Sequence, residues 1–144
     1  MPLLFSLAYA SCALNGADGP LRLDLLTAAP GPELFASMGH TALVFSGGGL
    51  EHPLAFDWGA YDVREASMLG FLRGRQRFYL RGQPASALFA DLERQQRTVV
   101  LQTLPEPDPA LLAGLNAEVG SPYVYHWRLA SCATRARDQV LPDD

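Results

Sequence analysis

Residues 41–58 read TALVFSGGGLEHPLAFDW. Thr41–Phe45 and Leu54–Trp58 are short apolar runs, and between them lie Gly47-Gly48-Gly49 and Pro53. Apolar runs of this length, bounded by turn residues, suit buried strands better than helices. The glycines supply the backbone freedom of a tight reversal, so the pair reads as a hairpin of antiparallel strands.

Working outward, Leu21–Leu25 alternates Leu, Arg, Leu, Asp, Leu, the period of a half-buried strand, and Pro30-Gly31-Pro32 breaks it. Glu33–Met38 reads as a short helical turn. After the hairpin, Val63–Leu72 carries Met68, Leu69 and Leu72 at helical spacing, and Arg77–Leu80 reads as a strand. Pro84 opens a helix with Leu88, Phe89 and Leu92 on its apolar face. Thr98–Leu104 reads as a strand, Pro105–Pro109 as a loop and Ala110–Val119 as a helix, while Val124–Leu129 is ambiguous. Ser131–Val140 reads as a last helix, with Ser131 as N-cap and Pro142 beyond its end. Strands and helices interleave, yet the connections look like hairpins. The expectation is an α+β fold with a mainly antiparallel sheet packed with helices.

The 144 residues fit one domain over 21–144, preceded by a 1–20 segment marked off by the turn-rich Asn15–Pro20. A hydrophobic fraction of 49% and a charged fraction of 18% suit a globular chain with its own core. Within the first segment, Met1–Ala13 has a short apolar stretch, and Ala8-Tyr9-Ala10 resembles a signal-peptidase site. It lacks a basic start, so a cleaved signal and a trimmed remnant or first packed segment stay open. No apolar run reaches the length of a membrane helix. The net charge is −4, and all eleven basic residues are arginine. The cluster Arg73, Arg75, Arg77, Arg81 could touch phosphate or lipid head groups, although a solvated face is its ordinary reading. The acidic balance and the lack of zinc spacing or an aromatic platform argue against nucleic acid. No ligand spacing for a metal and no phosphate-binding glycine motif is visible, so no cofactor is expected.

Of two cysteines, Cys132 is the better nucleophile. With Ser131 as cap it becomes the first helical residue, where the helix dipole and free N–H groups favour a thiolate and could hold an oxyanion. The ordinary reading of a lone cysteine is a small buried hydrophobe. A bridge from Cys132 to Cys12 would require the N-terminal segment to be retained in an oxidising compartment. A thiolate enzyme needs an imidazole as base and proton donor. His40 stands at the start of the strand Thr41–Phe45, His52 lies in the glycine-rich loop, and His126 sits between aromatic residues near Cys132. Spacing does not decide among them, though His40 is on the most rigid element. A carboxylate should orient the ring: Asp57 is the natural candidate and Asp62 the second, each also readable as a strand-end or turn carboxylate.

At Pro30-Gly31, Met38-Gly39-His40-Thr41, Asp57-Trp58-Gly59-Ala60-Tyr61-Asp62, Phe71-Leu72-Arg73-Gly74, Tyr79-Leu80, Arg97-Thr98-Val99, Gln102-Thr103-Leu104, Tyr123-Val124-Tyr125 and Cys132-Ala133-Thr134-Arg135 with Asp138, taken in order and spacing, the chain resembles the periplasmic domain of the Lnb-type bacterial lipoprotein N-acyltransferases. The resemblance runs from about Leu21 to Val140. It implies a circularly permuted papain-like thiol fold, similar to NlpC/P60 peptidases, with Cys132 as nucleophile and His40 as base. It further implies attack on a phospholipid or lipoprotein acyl ester, transfer of the acyl group to an amine, and a periplasmic or membrane-associated place in the cell envelope. Ser131 stands where the family carries Asn, and His126 where it tends to carry an acidic residue. Family members that act on lipids usually continue into membrane-spanning segments, and none lies in this sequence.

Three functions are thus expected in turn: a thiol acyltransferase on lipid acyl groups, a thiol peptidase or amidase on cell-wall peptides, and a silent envelope-binding module. The apolar residues Leu43, Val44, Phe45, Phe56, Trp58 and Trp127 suit an acyl-binding cleft, though as a set they are more often core.

Overall fold

The computed structural model describes residues 19–32, 39–126 and 128–141. The readings made for Met1–Ala13, Cys12, the helical turn Glu33–Met38 and Trp127 lie outside those residues.

Six strands form one antiparallel sheet: β1 (Arg22–Ala28), β2 (His40–Ser46), β3 (Leu54–Ala60), β4 (Arg77–Pro84), β5 (Val99–Thr103) and β6 (Pro122–Val124), in the order β5-β1-β2-β3-β4-β6. Four helices accompany it among the described residues: α1 (Met68–Leu72), α2 (Ala85–Arg94), α3 (Pro109–Glu118) and α4 (Cys132–Val140). The fold is therefore α+β with a six-stranded antiparallel sheet. The hairpin that decides it is the β2–β3 pair, with Ala42 opposite Asp57 and Phe45 opposite Leu54. Its turn depends on Gly47, whose φ is +70° and whose absent Cβ would lie 2.5 Å from the Pro20 carbonyl oxygen.

Strand alternation gives the sheet two buried faces. Leu23, Leu43, Phe45, Phe56, Trp58, Phe78 and Leu80 point to one, where Leu115 of α3 and Ala136 of α4 cover them. Phe45 and Phe56 meet edge to face there, with ring centroids 5.7 Å apart. Leu26, Ala28, Ala42, Val44 and Ala55 point to the other, under Ala85, Leu88 and Leu92 of α2. Small residues on the second face let α2 lie close to the strands.

The expected helix Val63–Leu72 is shorter than its apolar spacing suggested. Asp62 accepts backbone N–H groups from Arg64, Glu65 and Ala66, folding those residues into a turn, and Ser67 caps a helix that starts at Met68 by accepting from Gly70 N–H. Nor do Met68, Leu69 and Leu72 form its buried face, since all three are exposed. Phe71 is the inward residue, stacked on Tyr125 at 4.9 Å. Pro84 is the last residue of β4 and the N-cap of α2, one position earlier than a helix-opening proline would stand. Of the ambiguous Val124–Leu129, Val124 ends β6 and His126 pairs with Ala130.

Candidate active site

Cys132 is the first residue of α4 because Ser131 caps that helix. The Ser131 side chain accepts from Thr134 N–H at 3.3 Å, while Thr134 Oγ1 accepts from Ser131 N–H at 2.8 Å, a reciprocal capping box. The backbone N–H groups of Thr41, Ala133 and Cys132 itself favour the ionised form of the sulfur. Burial outweighs them and, helped by the negative charge of Asp57, holds the thiol above its ordinary range. The thiolate expected from the helix dipole is therefore not the resting state. Cys132 carries a free, half-buried thiol. Arg135, one turn on, sends its guanidinium over the Tyr123 ring, 4.8 Å from the centroid.

Ser131→Ala removes half the box and loosens the turn that presents the sulfur. The expected cost is about 1 kcal/mol, read by chemical denaturation. Ser131→Asp, which keeps an acceptor at the cap, should restore most of it.

His40 begins β2, and Asp57 lies one strand away on β3. The two approach, Nε2 to Oδ1, at 3.6 Å, beyond hydrogen-bond distance. Fully buried Asp57 instead accepts from Arg81 Nε at 3.1 Å, Arg81 Nη2 at 3.2 Å, Gln83 Nε2 at 3.3 Å and Gly59 N–H at 3.1 Å. These partners converge because Arg81 stands opposite Asp57 across β3–β4, and the register of the two strands shifts between Asp57 and Ala60, the stretch that holds Gly59. Gly59 leaves room for the imidazole: a Cβ there would lie 2.8 Å from His40 Cε1. Burial lowers the His40 pKa below 6.5, partly opposed by Asp57 and reinforced by the positive Arg81 and Arg97. The ring is neutral at pH 7, and its Nε2 is buried without a hydrogen-bond partner.

His40, Thr41, Asp57's partner Arg81 and Cys132 all line or border one cavity of about 520 Å³. Its walls differ. Trp58, Tyr61, Phe71, Phe78, Tyr123 and Tyr125 form an aromatic side, whereas Asp91, Gln95 and Arg97 join Arg81 on a polar one. Alternation along β2 puts His40 on the face of α2, and Cys132 belongs to the helix on the opposite face. His40, Thr41 and Cys132 nevertheless line the same cavity, and the Thr41 N–H favours negative charge on the sulfur. Among the described residues no hydrogen bond joins the thiol to the imidazole.

The remaining candidates lie elsewhere. Asp62 is tied to Arg64 at 3.1 Å and is not among the charges that act on His40. His52 is exposed beside Glu51. His126 accepts N–H groups from Arg128 and Leu129 and so caps its own turn. The roles of Arg81, Gln83 and Gly59 at Asp57 are not legible in the sequence, because only strand pairing brings them there. Tyr123, whose hydroxyl donates to the Trp58 carbonyl, was visible only as part of a Tyr-x-Tyr pattern. No group of three or more His, Cys, Asp or Glu among the described residues could hold a metal ion, and no described helix is long and apolar enough to cross a membrane.

Comparison of the chain with protein-family models, with curated proteins and with solved structures finds no match.

Proposed function

We propose that this domain carries out thiol-dependent acyl transfer, with Cys132 as the nucleophile and His40 as the base, in the circularly permuted papain-like arrangement that its sequence resembles. One observation carries the reading. Cys132 opens a capped helix and lines one cavity with His40 and Thr41, where the backbone N–H groups of Thr41, Ala133 and Cys132 favour negative charge on the sulfur and the imidazole is neutral. Such donors suit the oxygen that becomes negative when a sulfur adds to a carbonyl.

In the proposed reaction the thiol proton passes to the neutral imidazole as the sulfur attacks the ester carbonyl carbon. The carbon–oxygen bond to the alcohol then breaks, and the imidazolium returns the proton to the departing oxygen. That leaves a thioester on Cys132. An amine attacks the thioester carbon, the sulfur leaves and takes up a proton by way of His40, and an amide is released. To serve as base, His40 must turn its ring toward the sulfur within the cavity that both residues line. The aromatic wall suits an acyl chain better than a polar peptide, and the resemblance supplies the lipid or lipoprotein ester, the amine acceptor and the cell-envelope setting. A silent scaffold is the competing reading, favoured by the missing hydrogen bond between His40 and Cys132.

Mass spectrometry after incubation with a p-nitrophenyl fatty-acid ester decides between them. An acyl mass on the peptide containing Cys132, removed by added amine and absent from Cys132→Ser, is the expected outcome. A native protein that never acquires the adduct would overturn the proposal and leave the silent scaffold.

A further inference from the structure

The acid and base of this chain are unevenly divided. Its net charge is −4, yet residues 66–90 and 119–137 contain no Asp or Glu and hold seven of the eleven arginines. The structure brings these two stretches together: Arg77 pairs with Val124 across β4–β6, and Phe71 of α1 stacks on Tyr125. Around that junction large apolar side chains stand in solvent. Leu69 is 55% exposed, Leu72 71% and Leu129 73%, with Met68 and Val124 about half exposed. Arg73, Arg75, Arg77 and Arg128, on the same two stretches of chain, are exposed too, and none of the four makes an ion pair among the described residues.

Exposed leucines singly need no explanation, but a group of them on the same stretches as unpaired arginines has a matching surface. Leucine and methionine side chains enter the boundary between head groups and acyl chains, while arginines meet anionic phosphates. An acidic protein surface would match the arginines but leave the apolar side chains without a partner of equal depth. Phe71 and Tyr125, at the base of this patch, also line the cavity that holds Cys132. The patch therefore adjoins the aromatic wall of the cavity.

We infer that α1, the start of β4, β6 and the turn after it form a docking face for an anionic phospholipid bilayer. This face does not depend on chemistry at Cys132.

Flotation of the full chain with vesicles tests it, using phosphatidylcholine alone and phosphatidylcholine mixed with phosphatidylglycerol. The chain is expected to float with the mixed vesicles at low salt and to be released as salt shortens the Debye length from about 10 Å at 0.1 M to about 3 Å at 1 M. One arginine near such a surface is worth about a fivefold change in partitioning, so Arg73→Gln, Arg75→Gln and Arg77→Gln combined should weaken binding more than tenfold. Leu69→Gln with Leu72→Gln should weaken it as well. Arg94→Gln, on α2 across the sheet, and Cys132→Ser should bind as the native chain does. The replaced arginines and leucines are exposed, and circular dichroism checks their folding; the salt titration of the native chain needs no variant. Failure of the native chain to bind mixed vesicles at low salt would overturn the proposal, as would equal binding to both vesicle types at every salt concentration. Binding to polyglutamate without binding to vesicles would also overturn it, and would assign the face to an acidic protein.

Discussion

Asp57→Ala is expected to lower the unfolding free energy by about 3 kcal/mol, and the melting temperature by roughly 6–12 °C. The carboxylate is fully buried and accepts four hydrogen bonds, two of them from one guanidinium. Its removal leaves the Gly59 N–H, the Gln83 amide and the Arg81 charge without their acceptor. The Arg81 side chain is 43% exposed, so water takes back part of that loss, and the figure stands at the lower end for a broken buried pair. Arg81→Met in the same chain removes the stranded charge and should recover a measurable part of the stability. The double-mutant cycle then gives the coupling between the two. The imidazole reports the same change. Asp57 is the main charge raising the His40 pKa, and Arg81 lowers it, so Asp57→Ala alone should move the titration of His40 further below 6.5. An NMR titration that moved upward would show that Asp57 is not the carboxylate His40 senses.

The hairpin 41–58 was legible because both of its signals are local: two short apolar runs and a glycine turn. So was the cap of α4, since a serine before the last helical run acts on its own neighbours. What escaped the sequence depends on pairing between distant residues. Arg81 reaches Asp57 only through the register of β3 on β4, which holds from Leu54 to Asp57 and shifts before Ala60. The helix expected over 63–72 starts only at Met68 for a related reason. Its apolar spacing is real, but Asp62 and Ser67 each bind the backbone ahead of them and delay the helix to Met68, leaving Leu69 and Leu72 outward. Periodicity gave an apolar stripe, and only the location of the core could say which residue, Phe71, would use it. The sign of the electrostatics at Cys132 also differs from what its helix position implies. A dipole and N–H groups follow from the helix start, whereas the desolvation that outweighs them follows from the aromatic residues and strand ends that close over the sulfur.

That sign gives the second large effect. With the thiol pushed up by burial and the imidazole pushed down by burial, the resting pair is neutral thiol and neutral imidazole, not thiolate and imidazolium. Acylation by a p-nitrophenyl ester should then be fastest where His40 is unprotonated, with its acid limb below pH 6.5. His40→Ala should slow acylation at neutral pH by about 10²–10⁴-fold, the usual worth of a positioned base. Iodoacetamide reads the thiolate without needing a base. Its rate should rise through a midpoint above 9.0 and be slower at pH 7 than that of the unfolded chain, about tenfold for each unit of displacement. His40→Ala should leave that rate nearly unchanged, because no hydrogen bond joins the ring to the sulfur at rest. The same burial makes the fold sensitive to acid. As pH falls through the window below 6.5 the unfolded chain takes up the His40 proton before the folded one, so stability drops there, and His40→Ala should flatten that slope. Fast alkylation at pH 7 that depends on His40 would instead require a preformed ion pair and a ring already turned toward the sulfur. A turnover indifferent to His40 would remove it from the reaction.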